Sequence, residues 1–363
     1  MKKIFKSILL ILNAVVLLLM LGSTMAGIVS PSKFIGFSLL SYGYLYLLLL
    51  NVIFVIVWLL LSSKWFLLSL AGILLKMSFI PLYFQVGGTD KIDDNQDMQM
   101  IKVLTFNAHH FRGVDFDKME SNDSNILEFL QMVDDEKPDV LAMQEYVGRG
   151  KELKLTEQLV EKGYTYKASG YENGSMNGEV IFSKLPVLDV VRIGGNSKFY
   201  ADLLWNEDTV RLFCLHLDSY GLDQSDQKQM HDIKHGNVDS TTGRSTYRKF
   251  RETIIKHEAE WNLLVDYFEN SRKLAIVAGD FNDTPASYLY QKCSTLFADS
   301  YCEAGQGFST TYHGVFTRNA TFPAFRIDMV LHTNDMKAMA YRRIKSQISD
   351  HYPIVVTLVK NEK

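Results

Sequence analysis

The chain of 363 residues is 47% hydrophobic and 22% charged, with a formal net charge of −3. This length allows one large domain or two ordinary ones, and so weak an acidity gives no overall attraction to nucleic acid. The average conceals a division, because residues 1–86 are almost wholly apolar and the rest has the composition of a soluble globular protein. The three cysteines lack the spacing of a zinc site, and whether Cys293 pairs with Cys302 stays open.

Residues 1–86 are predicted to form a transmembrane module of three helices. Lysines at the N-terminus precede an uncharged stretch, residues 7–32, and a second uncharged stretch covers residues 34–63. Each is longer than the roughly 20 apolar residues that a helix needs to cross a bilayer. A third run, residues 65–84, contains Lys76 near its middle, where a charge is costly. If that run only lies in the interface, two spans remain.

The side of the membrane follows from the basic residues. The N-terminal lysines favour a cytoplasmic start. Three spans then place the rest of the chain on the extracytoplasmic side of a bacterial-type inner or plasma membrane, whereas two spans return it to the cytoplasm. Residues 23–27 also resemble a signal-peptide cleavage site, but a second apolar stretch follows at once, which favours an uncleaved anchor.

Residues 87–99 are polar, with glycines and acids, and are predicted to be a linker to a domain covering residues 100–363. In that domain, short apolar strands alternate with segments of helical periodicity. Strands are predicted at residues 101–106, 140–143, 180–183, 187–193, 201–205, 210–217, 274–278, 327–332 and 353–359, and helices at residues 124–134, 154–162 and 248–270. This pattern predicts an α+β fold with sheets packed against each other.

Polar residues recur at the ends of these apolar strands. They are Asn107, Gln144, Glu145, His216, Asp280, Asn282, Asp328, Asp350 and His351. Taken singly, most would be turn or solvated residues. Together they supply oxygen ligands for a hard cation, a base for water and groups that stabilise charge on phosphate, as phosphodiester hydrolysis requires. The oxygen-rich set without a Cys/His pattern favours Mg²⁺ or Mn²⁺ over zinc.

The same residues, in the same order, resemble the motifs of the endonuclease/exonuclease/phosphatase (DNase I-like) superfamily. Gly-Asp-Phe-Asn at residues 279–282 and Ser-Asp-His-Tyr-Pro at residues 349–353 are the most specific pieces. The resemblance implies a four-layered α/β sandwich, in which two mostly antiparallel sheets are flanked by helices. It also implies a metal-dependent phosphoesterase, since the superfamily includes nucleases, inositol polyphosphate phosphatases, sphingomyelinases and deadenylases.

The resemblance implies roles for the metal ligands. Glu145 would be the principal ligand of Mg²⁺, with Mn²⁺ as an alternative. Asn107 and Asp350 would support it through direct or water-mediated contacts.

It also implies roles for the catalytic groups. Asp280 and Asn282 would orient or deprotonate the attacking water and hold the scissile phosphate. His351 would contact phosphate oxygens, and Asp328 would fix its tautomer. His216 would stabilise the transition state or assist the leaving group.

The expected substrate contacts lie in less specific segments. Residues 223–249 are polar and rich in basic residues, which fits either a solvated loop or an anion-binding lid. Arg244 and Tyr247 are the preferred phosphate contacts in this segment. Asn177 precedes a strand that resembles an element beside the substrate groove of the superfamily, and Glu179 in that strand is given no role.

Substrate identity is left open between a nucleic acid, which is slightly favoured, and a lipid head group. The lipid bilayer is an expected partner, and no obligate protein partner is predicted. A catalytically inactive, membrane-tethered binding module is the alternative from another class.

Overall fold

The computed structural model describes residues 2–88, 99–113, 122–147, 151–170, 177–194, 198–221, 240–314 and 325–361. The helices are α1 Lys2–Ser23, α2 Ile35–Ser41, α3 Tyr44–Leu60, α4 Phe66–Leu75, α5 Asp123–Glu136, α6 Lys151–Glu161, α7 Ser240–Glu269, α8 Tyr288–Cys293 and α9 Ser300–Ala304. The strands are β1 Phe84–Gln85, β2 Met100–Asn107, β3 Val140–Val147, β4 Tyr166–Ser169, β5 Asn177–Ser183, β6 Val187–Arg192, β7 Phe199–Trp205, β8 Asp208–His216, β9 Ala275–Asp280, β10 Ala298–Asp299, β11 Gly307–Phe308, β12 Asp328–His332, β13 Met336–Arg343 and β14 Ile354–Lys360.

Two six-stranded sheets form the centre of the domain. Their strand orders are β13-β14-β2-β3-β5-β4 and β10-β12-β9-β8-β7-β6. Each sheet contains one parallel pair, β2 with β3 and β8 with β9, and its other pairs are antiparallel. The strands of the parallel pairs read as continuous apolar runs because both of their faces are buried.

Three apolar clusters make four layers from these sheets. One cluster lies between the two sheets and includes Val103, Ile181 and Leu212. The second joins the outer face of the first sheet to α5 and α6, and the third joins the outer face of the second sheet to α7 and α8. The predicted four-layered α/β sandwich is therefore confirmed.

The N-terminal helices form a bundle whose elements differ from the predicted spans. Among the residues that the structure describes, Lys3–Gly27 is the one segment long and apolar enough to cross a membrane as a single helix, and α2 with α3 passes the same test only as one span bent by 69°. The second uncharged stretch forms two helices, α2 and α3, because the chain turns at Tyr42 and Gly43. The third run is also shorter than expected, since a 3₁₀ segment with Pro81 follows α4.

A chain of buried polar side chains joins α1, α3 and α4. Asn13 donates through Nδ2 to Ser69 Oγ at 2.5 Å and accepts from Trp58 Nε1 at 2.9 Å. Ser69 in turn donates to Asn51 Oδ1 at 2.9 Å. Such hydrogen bonds are a common way to hold apolar helices in a fixed register, so these helices form one packed unit.

Candidate active site

The predicted strand-end residues meet at one end of the sandwich. The parallel register places Asn107 opposite Gln144 in one sheet and His216 opposite Asp280 in the other. Asp328 opens β12 opposite Asp280, because β12 runs antiparallel to β9. Asp350 and His351 lie just before β14, separated from it by Tyr352 and Pro353, and β14 runs antiparallel to β2. The middle strands of both sheets therefore deliver their polar ends to the same place.

Gly279 lets the two parallel strands of the second sheet approach at the site. Its φ is +145°, and a Cβ at this position would lie 1.9 Å from the carbonyl oxygen of Leu215. A side chain there would force β8 and β9 apart. Glycine is therefore required for His216 and Asp280 to face each other.

Glu145 leaves the regular pattern of its strand. The register between β3 and β5 shifts between Met143 and Tyr146, and Glu145 has a φ of +49°. A bulge of this kind redirects a side chain, and here it turns Glu145 toward the site. Burial acts to raise the pKa of Glu145, but the positive charges of neighbouring histidines, led by His216, outweigh it and lower the pKa. The carboxylate is thus ionised, as a metal ligand must be.

Asn107 links two carboxylates. Its Nδ2 donates to Asp280 Oδ2 at 3.0 Å and lies 3.4 Å from Glu145 Oε1, while its Oδ1 accepts from the backbone N–H of His109 at 3.1 Å. In this orientation the amide positions the acids. A direct metal contact through Oδ1 would require the amide to turn.

Asp350 is buried beside a histidine that the motif analysis left without a role. Its Oδ1 lies 3.3 Å from His109 Nδ1, which is also 3.8 Å from Glu145 Oε2. His110 Nε2 lies 3.8 Å from the same Glu145 oxygen. Both histidines have positive φ, so a strained turn brings two imidazoles to the acids expected to hold the metal.

His351 and Asp328 form a buried pair. Both Asp328 oxygens lie within 3.0 Å of His351 Nδ1, and His351 Nε2 is 3.7 Å from Asp280 Oδ2. Burial alone would lower the pKa of His351, but the charges of Asp328 and Asp280 raise it well above the ordinary value. The ring therefore carries a positive charge.

Asp280 and Asn282 occupy the turn after β9. Burial raises the pKa of Asp280 to about 6, although the charge of His351 opposes the shift. Asn282 donates its backbone N–H to Asp280 Oδ1 at 2.8 Å and its Nδ2 to the carbonyl oxygen of Leu217 at 2.9 Å. A carboxyl group with a pKa near 6 is suited to accept a proton from water near neutral pH.

His216 forms a second buried pair, with Glu179. The distance from His216 Nδ1 to Glu179 Oε1 is 3.2 Å. Burial acts to lower the pKa of His216, but the hydrogen bond to Glu179 and the charge of Asp280 raise it to about 9. His216 Nε2 is buried without a hydrogen-bond partner among the described residues, 3.7 Å from Asp280 Oδ2. It is thus a donor available to a phosphate oxygen.

Two positions in the site were missed by the motif analysis. Glu179 lies within an apolar strand, where only its charge among buried neighbours signalled a partner. His109 follows Asn107 by two residues and is adjacent to His110. This pair of histidines beside a predicted metal ligand was the signal that could have identified the position.

The expected substrate contacts are not joined to this cluster. Arg244 and Tyr247 lie exposed on the first turns of α7, and no hydrogen bond or ion pair among the described residues connects them to it. The helix begins at Ser240, earlier than predicted, and residues 222–239 of the proposed lid lie outside the described residues. Asn177 begins β5 opposite Val147.

The donor chemistry fits a hard divalent cation. Glu145 and Asp350 offer carboxylate oxygens, and His216 Nε2, which has no hydrogen-bond partner among the described residues, lies 3.8 Å from Glu145 Oε1. Among the described residues, Asp280, Asp328 and His351 also form a group whose donor atoms all lie within 4.8 Å of one another. The hydrogen bond from His351 to Asp328 accounts for part of that closeness.

Comparison with known families and structures agrees with the observed fold. Residues 104–351 match the model of the Endonuclease/Exonuclease/phosphatase family, which confirms the resemblance seen in the sequence. Residues 6–83 match a domain of unknown function, DUF8431. No curated protein matches the chain.

Solved structures share the fold at low identity. An endonuclease/exonuclease/phosphatase from Beutenbergia cavernae DSM 12333 is 18% identical, with 72% of each chain covered and a TM-score of 0.51. The corresponding protein from Bacteroides vulgatus is 18% identical, covering 72% of this chain and 99% of that chain, with a TM-score of 0.48. TDP2 of D. rerio, solved with a single-strand DNA product, is 14% identical over 71% of this chain and 98% of that chain, with a TM-score of 0.46.

Proposed function

Because the chain belongs to the endonuclease/exonuclease/phosphatase family, whose members are metal-dependent phosphoester hydrolases, we propose that it is a membrane-anchored phosphodiesterase that uses Mg²⁺. The observation that carries the proposal is the convergence of Glu145, Asp280, His216 and His351 at one end of the sandwich. These groups include a low-pKa carboxylate, a carboxyl group of pKa about 6 and two cationic imidazoles. Every position expected for activity is present, which argues against an inactive binding module.

The metal ion would be held by Glu145 and Asp350, with Mn²⁺ as an alternative, and would supply charge neutralisation on the phosphoryl oxygens. Asn107 keeps the Glu145 and Asp280 carboxylates in place through its amide N–H groups. Ser349 Oγ supports the same geometry, since it donates to the carbonyl oxygen of Asn107 at 2.8 Å.

Hydrolysis follows from the remaining groups. Asp280 accepts a proton from water, whose oxygen attacks phosphorus in line with the ester oxygen that leaves. His351 stabilises the negative charge that develops on the phosphoryl oxygens, since it is cationic and fixed by Asp328. His216 donates the Nε2 proton to the departing oxygen. The products are an alcohol and a phosphomonoester.

Anchoring is supported by the surface of the bundle. Only 17% of the most apolar window of Lys3–Gly27 is buried, whereas a core helix of a soluble protein would be mostly covered. Apolar side chains with more than a third of their surface exposed include Ile4, Phe5, Ile8, Ile11, Leu18, Ile53, Ile56, Leu59, Leu60, Leu67, Leu74 and Leu75. Exposed apolar side chains in this number are suited to contact with lipid. The hydrogen bonds of Asn13 favour an uncleaved anchor, because cleavage after residue 26 would remove them.

The course of the bundle supports an extracytoplasmic catalytic domain. The end of α1, the start of α3 and the segment after α4 all lie at the catalytic domain. The lysines Lys3, Lys6 and Lys64 therefore lie at the opposite end, which is expected to be cytoplasmic. Placed end to end, the ten residues of α4 and the six of the 3₁₀ segment would rise by about 27 Å, close to the thickness of the hydrocarbon core.

The activity is tested with the full chain purified in detergent and the soluble diester bis(p-nitrophenyl) phosphate, which favours neither nucleic acid nor lipid. We expect hydrolysis to stop after removal of divalent ions with EDTA and to return with Mg²⁺ or Mn²⁺. Hydrolysis that continues undiminished after metal removal would contradict the proposal.

A further inference from the structure

The N-terminal helical bundle is hydrogen-bonded to the turn after β9, which carries the proposed catalytic residues Asp280 and Asn282. Tyr42, in the turn between α2 and α3, donates its hydroxyl to Asp283 Oδ1 at 2.7 Å and also contacts the hydroxyl of Tyr220. Asp283 directly follows Asn282 in the turn after β9. On its other side, Asp283 Oδ2 lies 3.2 Å from Nδ1 of the buried His257. The membrane module and the catalytic turn thus share one polar cluster.

A second contact reaches the other side of the site. Tyr83, after the last helical segment of the bundle, accepts at its carbonyl oxygen from the backbone N–H of Ser309 at 3.0 Å. Three residues later, Tyr312 forms a bridge with His351, and its ring lies 5.0 Å from the imidazole. The bundle therefore contacts two of the segments that border the catalytic groups.

Further contacts hold the two parts in one orientation. Both oxygens of Glu258, on α7, accept from the turn after α1, with Ser32 N–H donating at 2.9 Å and Ser30 Oγ also donating. Arg326, fully buried and paired with Asp299, donates to the carbonyl oxygen of Leu82 at 3.2 Å. Several contacts spread around the rim resist rotation of the domain on its anchor.

Exposed apolar side chains lie beside these contacts. Ile28 and Phe34, which flank Ser30 and Ser32, are 68% and 53% exposed. From the backbone of Tyr42 to that of Asn282, the path is one tyrosine side chain, one hydrogen bond and two residues, or about 15 Å. The head-group layer on each side of a bilayer is itself about 5–8 Å thick. The catalytic turn therefore lies within about 15 Å of the bundle, and the head-group layer would span part of that distance.

The charge of the catalytic domain does not suit a polyanion. Residues 100–363 contain 31 Lys and Arg against 37 Asp and Glu, a formal net charge of −6. Nucleic acid binding depends chiefly on basic residues that neutralise backbone phosphates. A single phosphate in a zwitterionic or singly charged lipid makes no such demand, because the cation and two imidazoles can neutralise it.

Resting on the proposed phosphodiesterase activity, we propose that the substrate is the phosphodiester of a membrane lipid, in the leaflet that borders the catalytic domain. Water adds to phosphorus, one of the two P–O ester bonds breaks, and the departing oxygen takes up a proton. The products are a phosphomonoester and an alcohol, one of which keeps the acyl chains.

The test uses the full chain in proteoliposomes with Mg²⁺. Vesicles of phosphatidylcholine, phosphatidylethanolamine, phosphatidylglycerol and sphingomyelin are compared with single- and double-stranded DNA and RNA added outside. We expect hydrolysis of at least one lipid, with phosphate-containing products identified by mass spectrometry, and DNA or RNA cleavage at least tenfold slower. Cleavage of nucleic acid without lipid hydrolysis overturns the inference.

The soluble diester separates the two proposals. Hydrolysis of bis(p-nitrophenyl) phosphate without hydrolysis of any lipid overturns the lipid substrate and leaves the phosphodiesterase in place. Failure to hydrolyse any of these compounds overturns the phosphodiesterase as well.

A variant at the contact between the bundle and the catalytic turn tests whether this contact positions the site at the bilayer. Tyr42→Phe removes the hydroxyl bonded to Asp283 and leaves the anchor and catalytic groups unchanged. We expect lipid hydrolysis to fall about fivefold, because the site loses its fixed position at the bilayer, with the soluble diester hydrolysed within twofold of wild type. Tyr166→Phe, on exposed β4, is the matched control. An equal fall for both substrates, or no fall for lipid, overturns the positional argument.

Discussion

Two imidazole–carboxylate pairs flank Asp280. They differ in the exposed fraction of the histidine side chain and in how far the pKa of the histidine is raised. The side chain of His351 is 6% exposed and lies 2.9 Å from Asp328, whereas that of His216 is 18% exposed and lies 3.2 Å from Glu179. The pKa of His351 is raised well above the ordinary value, but that of His216 is raised only to about 9. An imidazole paired with a carboxylate thus provides a fixed positive charge at His351 and an exchangeable proton at His216.

Loss of the fixed positive charge at His351 should have the largest effect on activity. We expect His351→Asn to lower kcat for the soluble diester by about 10³-fold, because the transition state loses a buried cation. Steady-state kinetics at saturating Mg²⁺ and circular dichroism measure activity and fold. A folded variant with at least a tenth of the wild-type kcat would show that His351 does not stabilise the transition state.

The partner of that histidine should matter less than the histidine itself. We expect Asp328→Asn to lower kcat by about 10²-fold, since the neutral amide keeps the shape but no longer holds the imidazole cationic. The loss should grow as the pH rises, because the pKa of His351 falls without Asp328. A loss that is equal at pH 6 and pH 9 would contradict this reason.

The two pairs also predict a bell-shaped pH profile. Asp280, with a pKa of about 6, must lose its proton to act as base, so activity should rise as the pH increases through 6. His216, with a pKa of about 9, must keep its proton to act as acid, so activity should fall above pH 9. At pH 5 we expect about one tenth of the maximal rate, because one pH unit is a factor of ten. A flat profile between pH 5 and pH 8 would argue against Asp280 as the base.

The smallest effect is expected from Glu179, a positioning residue. Glu179→Gln weakens the hydrogen bond that, with the charge of Asp280, raises the pKa of His216, so the basic limb of the pH profile should move toward the ordinary histidine value of about 6.5. The rate at pH 8 should then fall severalfold, by about three- to tenfold. Glu303→Gln, which alters the pair that Glu303 forms with His332 at 3.1 Å, is the matched control. If the basic limb stays in place, Glu179 does not tune His216.

The family resemblance predicted the contact between Asp328 and His351, which the structure contains, but it predicted no partner for His216. Asp280, Asp350 and His351 stand at the ends of apolar runs, where polarity breaks a hydrophobic pattern and attracts notice. Glu179 lies inside a strand, and its partner comes from β8 of the other sheet, so the contact depends on how the two sheets pack. Local periodicity carries no information about such pairing across the sandwich.

The geometry of two further elements could not be predicted from the local sequence, because it depends on the tertiary fold. The bulge that turns Glu145 into the site arises from its pairing with β5, and no residue in the strand marks it in advance. The bend between α2 and α3 occurs where Tyr42 reaches the catalytic turn, so a contact distant in sequence interrupts what composition predicts as one helix. Both cases show tertiary contacts overriding a local pattern.

The most direct test of the phosphodiesterase itself is the kcat of Glu145→Ala for the soluble diester, measured with the full chain and a titration of Mg²⁺. Glu145 is the proposed principal ligand of the metal, so we predict a loss of at least about 10³-fold that saturating Mg²⁺ does not restore, with the fold unchanged by circular dichroism. A rate at saturating Mg²⁺ equal to that of the wild type would contradict the account.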